Sequence, residues 1–309
     1  MHRKENKMKD RRQLIGHIAC FTAYAIFGIN IIICKDLTRG HLISPLALFC
    51  LRSLGAGALF WILSIFMPAE KVDRKDYIKI FAASFLGYFM TQITFLIAIP
   101  DVTPMDCSII SAMSPIYTMF IAAIVLKEPI TLKKAGGVAV SLFGIIFLIM
   151  NSVTSSGGIA ESKMSGIFLM ILNSLSFSLY LGIFKPLISK YSVVTFMKWI
   201  FLFSFLMSVP MSGKEIITLS WSSIPSAQLW ELSYLIVFAT FISYFLIPVG
   251  QKIIRPTLVS MYSYIQPIIA TAISICIGMD SLTWQKILAA AMVFGGVIIV
   301  SRSRSAQQK

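Results

Sequence analysis

Runs of about twenty apolar residues, separated by short polar or charged turns, follow one another along almost the whole chain. A bilayer core about 30 Å thick calls for roughly 20 such residues in a helix. Ten stretches meet that length: 13–34, 45–66, 77–98, 104–126, 132–150, 165–184, 193–209, 229–247, 257–277 and 285–300. None shows the polar outer face that a helix of a soluble bundle needs. The pattern therefore predicts an all-α polytopic membrane protein. Two connections are longer than the rest. Residues 151–163 are rich in Ser and Gly and read as a linker. Residues 211–228 carry Trp221 and Pro225 and read as an interfacial segment. The basic start, from Arg3 to Arg12, precedes an apolar run too long for a signal peptide's core, so that run is expected to stay as the first span.

A second pattern lies over the first. The stretch 104–148 recurs 152 residues later, with Pro104 matching Pro256, Ser108 Ser260, Pro115 Pro267, Glu128 Asp280, Thr131 Thr283, Lys134 Lys286 and Gly144 Gly296. Gly16 and Lys35 match Gly166 and Lys185 at a spacing of 150. The chain thus reads as a first repeat at 1–150, a linker at 151–164 and a second repeat at 165–309. Five spans per repeat is an odd number of crossings, so the second copy enters the membrane from the opposite side. The expected fold is ten transmembrane helices arranged as two inverted five-helix repeats, an architecture recurrent in secondary transporters.

Composition agrees with the pattern, at 57% hydrophobic residues against about 45–50% for a soluble domain. The net charge of +14 is not evenly shared between the two sides. Alternate connections carry 20 Lys and Arg on one side and five on the other, which makes both termini cytoplasmic. That explains the basic balance without nucleic acid, for which no motif appears. Cys20, Cys34, Cys50, Cys107 and Cys276 are scattered singly, as are His2, His17 and His41. No metal site and no cofactor are expected from them.

Helical spacing puts Ser108, Ser111, Ala112, Pro115, Met119 and Ala122 on one face of the fourth stretch. Ser260, Ser263, Tyr264, Pro267, Thr271 and Ser274 form the matching face of the ninth. The central prolines, Pro115 and Pro267, free the carbonyls of Ser111 and Ser263, and a freed carbonyl at that depth needs protein or a wet cavity beside it. Close helix packing by small residues explains such stripes equally well. Further uncharged candidates for a cavity wall are Asn30, Tyr88, Gln92, Ser114, Tyr117, Asn173, Tyr180, Tyr244, Tyr262 and Gln266, since amides and phenols in a span must be paired or wet. Of the charges, Lys198 is placed to snorkel, whereas Arg52 lies deeper and is expected to bond another helix or an anionic group of a substrate. Asp101 and Asp106 sit at the outer end of the fourth stretch. Glu128 and Asp280 occupy helix C-termini, an electrostatically poor place for an anion, and each is expected to pair with the Thr and Lys that follow. No Asp or Glu lies well inside a span, so a coupling carboxylate is missing. Gly137-xxx-Ser141 and Ala291-xxx-Gly295 point to close approach of the fifth and tenth stretches.

Taken together, Phe27-Gly28-Ile29-Asn30, the Arg of Leu51-Arg52-Ser53, Ser114-Pro115-Ile116 and Gln266-Pro267-Ile268 resemble the EamA-type permeases of the drug/metabolite transporter superfamily. The turns Leu126-Lys127-Glu128-Pro129-Ile130-Thr131 and Gly278-Met279-Asp280-Ser281-Leu282-Thr283 complete the likeness, with Asp280 where Glu is usual. The resemblance implies a carrier of small organic solutes, often outward, in a bacterial inner membrane. The partners expected are a small-molecule substrate and the lipid bilayer, with a homodimer left open. A passive facilitator or channel remains an alternative. An intramembrane lipid-modifying enzyme is disfavoured because no cluster of acid, base or nucleophile sits at membrane depth.

Overall fold

The computed structural model describes residues 2–39, 43–102, 110–111, 113–154, 163–217, 219, 224–276 and 283–303, and these form helices joined by short turns, with no strand among them. In chain order the helices are α1 (His2–Arg39), α2 (Pro45–Ile65), α3 (Arg74–Ala98), α4 (Ser114–Val125), α5 (Leu132–Thr154) and α6 (Met164–Ile183). They continue as α7 (Lys185–Lys190), α8 (Val193–Ile217), α9 (Ser226–Ile253), α10 (Pro256–Met261), α11 (Ile265–Cys276) and α12 (Trp284–Ser301). Helix starts follow local chemistry. Ser44 accepts the amide of Ala47 at 3.1 Å ahead of Pro45, and proline also opens α4 and α10, where its missing N–H is not needed.

By length and composition, six helical stretches are able to cross a membrane: Arg11–Asn30, Pro45–Ile65, Arg74–Ala98, Met164–Ile183, Val193–Ser212 and Ser226–Ile253. The fourth and ninth stretches of the sequence reading are not single kinked helices. The chain leaves regular helix at Met113 and restarts at Ser114, and it passes from α10 to α11 through a 3-10 turn at Tyr262–Tyr264. The physical reason is that each proline falls in the first turn of a new helix rather than the interior of an old one, so it begins a segment instead of bending one.

The two halves pack reciprocally. Helix α1 lies on α9 as α6 lies on α3, and α1 meets α11 as α6 meets α4. Helices α2 with α8, α5 with α12 and α4 with α10 pair across the middle. The correspondence reaches single atoms. Gln92 Nε2 donates to Tyr244 Oη at 3.0 Å and Ser141 Oγ to the Val293 carbonyl at 3.1 Å, and both pairs are 152 residues apart. A two-fold relation between the repeats passes through such pairs. Each half also carries a π-helical turn, Phe85–Phe89 in α3 and Leu235–Ile242 in α9, and Gly87 and Ala239 within them are again 152 apart. Since lipid offers no hydrophobic drive between helices, close backbone approach carries the packing of α5 on α12. A Cβ at Gly144 would lie 3.0 Å from the Ala289 carbonyl, and one at Gly296 would run into the Gly137 carbonyl and the Ser141 hydroxyl. Gly295, the position expected at this contact, has nothing near it; the seam is one residue further on.

Behind this seam, α2, α3, α8 and α9 share a buried aromatic cluster. Phe60 stacks on Phe201 at 5.4 Å, and Tyr88 meets Tyr244 edge-on at 4.9 Å. Phe168, Ile124 and Leu132 point outward to where lipid would lie.

Candidate functional site

Where the two breaks face each other, the structure encloses a cavity of about 110 Å³. A water needs about 10–15 Å³, so the space holds several. Its wall is drawn from both halves: Asn30 of α1, Gln92 of α3, Ser111 and Ser114 at the first break, Asn173 of α6, Tyr244 of α9, and Ser263 and Gln266 at the second break. The π-turns place the α3 and α9 contributions, since Thr91 and Gln92 follow the first and Tyr244 the second; such turns re-aim the residues after them.

Polar groups of the wall are partly matched to each other. Asn173 donates to the Thr91 carbonyl, and Cys34 Sγ donates to Asn30 Oδ1 at 3.5 Å. Ser178 donates to the Ser114 carbonyl at 3.1 Å, and the two hydroxyls lie 3.0 Å apart. Two buried hydroxyls of lining residues, Tyr24 Oη and Ser263 Oγ, have no hydrogen-bond partner among the described residues. An unmatched hydroxyl costs about 1–3 kcal/mol when it is cut off from water. Both hydroxyls belong to side chains that line the cavity. Among the described residues the lining contains no Asp, Glu, Lys, Arg or His.

Five tyrosine candidates stand elsewhere, Tyr262 among them, which lines a separate groove with His17. Tyr88 is fully buried against Phe49, Phe201 and Tyr244, one layer behind the wall, because the π-turn rotates it away from Gln92. Tyr180 is turned to the close approach of Gly87, and Tyr264 points from its 3-10 turn into the packed core, opposite to Ser263. Tyr117 is half-buried one turn past the break, outside the lining. Conversely, Tyr24, Phe27, Thr91, Phe95, Ser174 and Phe177 line the cavity without being among the candidates that spacing and polarity single out. The repeat itself carried a signal for four of these: Tyr24 with Ser174 and Phe27 with Phe177 are each 150 residues apart.

Arg52 does not reach the cavity. It is fully buried, with Nε donating to Thr240 Oγ1 at 2.8 Å and Nη1 to Cys34 Sγ at 3.7 Å, so it ties α2 to the second π-turn and to α1. Glu128 receives Lys134 Nζ at 2.7 Å in a buried pair beyond the end of α4, where Lys127 takes a left-handed backbone at φ 53°. Asp106, Asp280, Ser108, Cys107 and Trp221 lie outside the described residues, as do the side chains of Thr271 and Ser274. Pro115 and Pro267 sit directly beside the cavity residues Ser114 and Gln266.

At the end of the bundle where α1 begins and α12 ends, the seam is latched by charge. Lys190 reaches Asp73 at 2.5 Å and Asp76 at 2.6 Å, and Asp76 accepts the Tyr191 hydroxyl at 2.7 Å. Glu70 accepts the Ser192 amide at 2.9 Å. The carboxylates of Asp73 and Asp76, then the Tyr191 hydroxyl, hold the Lys190 ammonium above its usual range. Burial pushes the Glu70 carboxyl up, but the Ser192 amide, the hydroxyls of Thr195 and Ser192 and the Lys252 charge outweigh it and hold the group below the usual carboxylate range. At the other end, Lys163 meets Asp101 at 2.7 Å, and Ser44 donates to Glu215.

An all-helical, two-repeat bundle with membrane-crossing helices and a polar cavity at its seam defines a multi-pass membrane transporter. The chain belongs to the EamA-like transporter family, whose model matches it twice, at residues 14–150 and 164–302. It is 20% identical over 94% of its length to the uncharacterized transporter YetK of Bacillus subtilis, 87% of which is covered. It is 26% identical over 50% of its length to an uncharacterized transporter of Archaeoglobus fulgidus, and spans about half (52%) of that relative. A solved structure described as a crystal structure of protein superposes over 94% of this chain and 96% of its own, with a TM-score of 0.75 at 14% identity, so the two share a fold.

Proposed function

We propose that this protein is a secondary carrier that moves a small amphipathic organic solute of no net charge, amino-acid-like or drug-like, across the cell membrane by alternating access. The halves at 1–150 and 165–309, joined by 151–164, act as inverted repeats of five crossings with both termini on the cytoplasmic side, and outward transport follows the family resemblance. The observation that carries the reading is the seam cavity. It takes its wall from both repeats, has no Asp, Glu, Lys, Arg or His among its described lining residues, and includes Tyr24 and Ser263, whose hydroxyls find no partner among the described residues, beside the rings of Phe27, Phe95 and Phe177. Apolar walls with a few convergent polar groups suit a solute with an apolar body and hydrogen-bonding ends. The reciprocal packing of α1 on α9 and α6 on α3 supplies two equivalent surfaces over which one repeat rocks against the other.

The test is a thermal-shift screen of the purified protein against amino acids, nucleosides, sugars and amphiphilic drugs, followed by counterflow in proteoliposomes with the hit. Gln266→Leu is expected to remove the shift and to lower counterflow at least tenfold while leaving the unliganded melting temperature within a few degrees. Uptake without counterflow makes the protein a channel. Unchanged flux in Gln266→Leu and Gln92→Leu places the solute elsewhere.

A further inference from the structure

A second and larger space lies on the outside of the bundle. Helices α1 and α12 bound a groove of about 400 Å³ on the side of Tyr262 that faces away from the seam cavity. Its floor is apolar, formed by Ile18, Phe21, Phe294 and Ile298, each at least 40% exposed. His17 also lines it, with Nδ1 held 2.6 Å from the Tyr262 hydroxyl, and Nε2 makes no protein hydrogen bond among the described residues.

Charge is graded along this groove on both helices from the same end. On α1, Arg11 lies seven residues before Ile18 and so on the same face, followed by His17 and then Phe21. On α12, which runs the opposite way, Arg302 follows Ile298 by four residues, with Ser301 and then Phe294 deeper in. Arg11 and Arg302 are both exposed, and neither 11–34 nor 284–303 contains an Asp or Glu. At about 1.5 Å of rise per residue, the distance from Arg11 to Phe21 is on the order of 15 Å. The order is cation, then neutral polar groups, then hydrocarbon. The other half lacks it: its equivalents of Arg11 and Arg302 are Glu161 and Met150, and Ile167 and Ile110 stand where His17 and Tyr262 do.

We infer that this groove is a binding site for an anionic phospholipid of the leaflet at that end of the bundle. Its phosphate lies on Arg11 and Arg302, its ester region faces His17 and Tyr262, and one acyl chain packs along Phe21 and Phe294. Basic residues between spans at the membrane surface attract anionic headgroups. Because Tyr262 adjoins Ser263 of the cavity wall, a bound lipid also braces the second helix break from outside.

The experiment is native mass spectrometry of the full chain, titrated with phosphatidylglycerol or phosphatidylcholine, together with Ile298→Trp fluorescence in vesicles of each lipid carrying brominated chains. The expected result is selective retention of phosphatidylglycerol, reduced at least fivefold in Arg11→Gln/Arg302→Gln but not in Lys71→Gln/Lys75→Gln, with stronger quenching by the brominated phosphatidylglycerol. Equal retention of the two lipids, equal loss in the two double variants, or a dimer that excludes lipid would overturn the assignment. Arg302, Lys71 and Lys75 are at helix ends or turns and Arg11 is an exposed position of α1, so these variants leave the helical core intact, and a failed transport assay does not bear on the result.

Discussion

At the break in the first half, Ser178 donates to the Ser114 carbonyl at 3.1 Å and Ser174 approaches the Ile110 carbonyl at 3.5 Å, so two serines of α6 hold the irregular turn. At the break in the second half the residue facing the equivalent carbonyl, that of Gln266, is Gly28, whose Cβ would stand 3.0 Å from it. The counterpart of Ser174 is Tyr24, whose hydroxyl is unmatched. One break is strapped to its neighbour by hydroxyls of α6, and at the other close packing at Gly28 and the His17 contact with Tyr262 stand in their place. Duplication gave both halves the same helix path, but the divergence of a few side chains holds the two breaks by different contacts. A break without the serine straps is the one expected to open at lower cost.

The largest effect that sharpens this comparison concerns the close contact of α5 with α12. Gly144 and Gly296 are equivalent, yet a Cβ at Gly296 runs into the Gly137 carbonyl, whereas one at Gly144 stands 3.0 Å from the Ala289 carbonyl. Overpacking a tight contact costs about 1–3 kcal/mol. Gly296→Ala is therefore expected at the top of that range and Gly144→Ala near its bottom, measured as apparent melting temperature in detergent. Equal losses would mean that the contact is symmetric.

A smaller effect tests the breaks directly. Ser178→Ala removes one strap from the Ser114 carbonyl and should cost on the order of 0.6–1.7 kcal/mol, the scale of hydroxyl bonds between membrane helices. The same change should raise hydrogen exchange at 113–117 toward that at 265–269. If exchange at the two breaks already coincides in the unaltered protein, the asymmetry has no dynamic meaning.

Much of this arrangement is legible from the residues. The hydropathy pattern and the 152-residue repeat give the helical class and the correspondence of halves, and the rule that an amide in a span must be paired or wet leads to Asn30, Gln92, Asn173 and Gln266 on the cavity. Facing is what spacing alone misses. An uninterrupted 3.6-residue period carried through α3 keeps Tyr88 as a candidate beside Gln92, but the π-turn at Phe85–Phe89 inserts extra backbone and sends Tyr88 into the aromatic cluster. Tyr264 fails for the same kind of reason, since three residues per turn at Tyr262–Tyr264 set neighbours on different sides than an α-helix would. Arg52 is found by its charge, but its partner Thr240 is 188 residues away and visible only in the fold.

The smallest expected effect concerns the latch that joins the two halves at the end where α1 begins. The Glu70 carboxyl is held below its usual value, so its contribution is fully present above about pH 4.3 and lost only as pH falls through the lowered value. Lys190 is held above its usual value, so its contribution is fully present below about pH 10.4 and lost only as pH rises through the raised one. Between pH 5 and 9 neither group changes charge, and the latch does not respond. Hydrogen exchange at residues 187–196, corrected for the intrinsic pH dependence of the amides, should then show constant protection across that range and a decline below about pH 4. Glu70→Gln should lower protection modestly at neutral pH and blunt the acid decline, because the Ser192 amide loses a charged acceptor for a neutral one. A step in protection between pH 6 and 7 would require a group of histidine-like pKa at the latch, and the side chains that meet there are Glu70, Asp73, Asp76, Lys190, Tyr191, Ser192 and Lys252. A proton that drives transport in the neutral range would therefore have to act elsewhere than on this end of the seam.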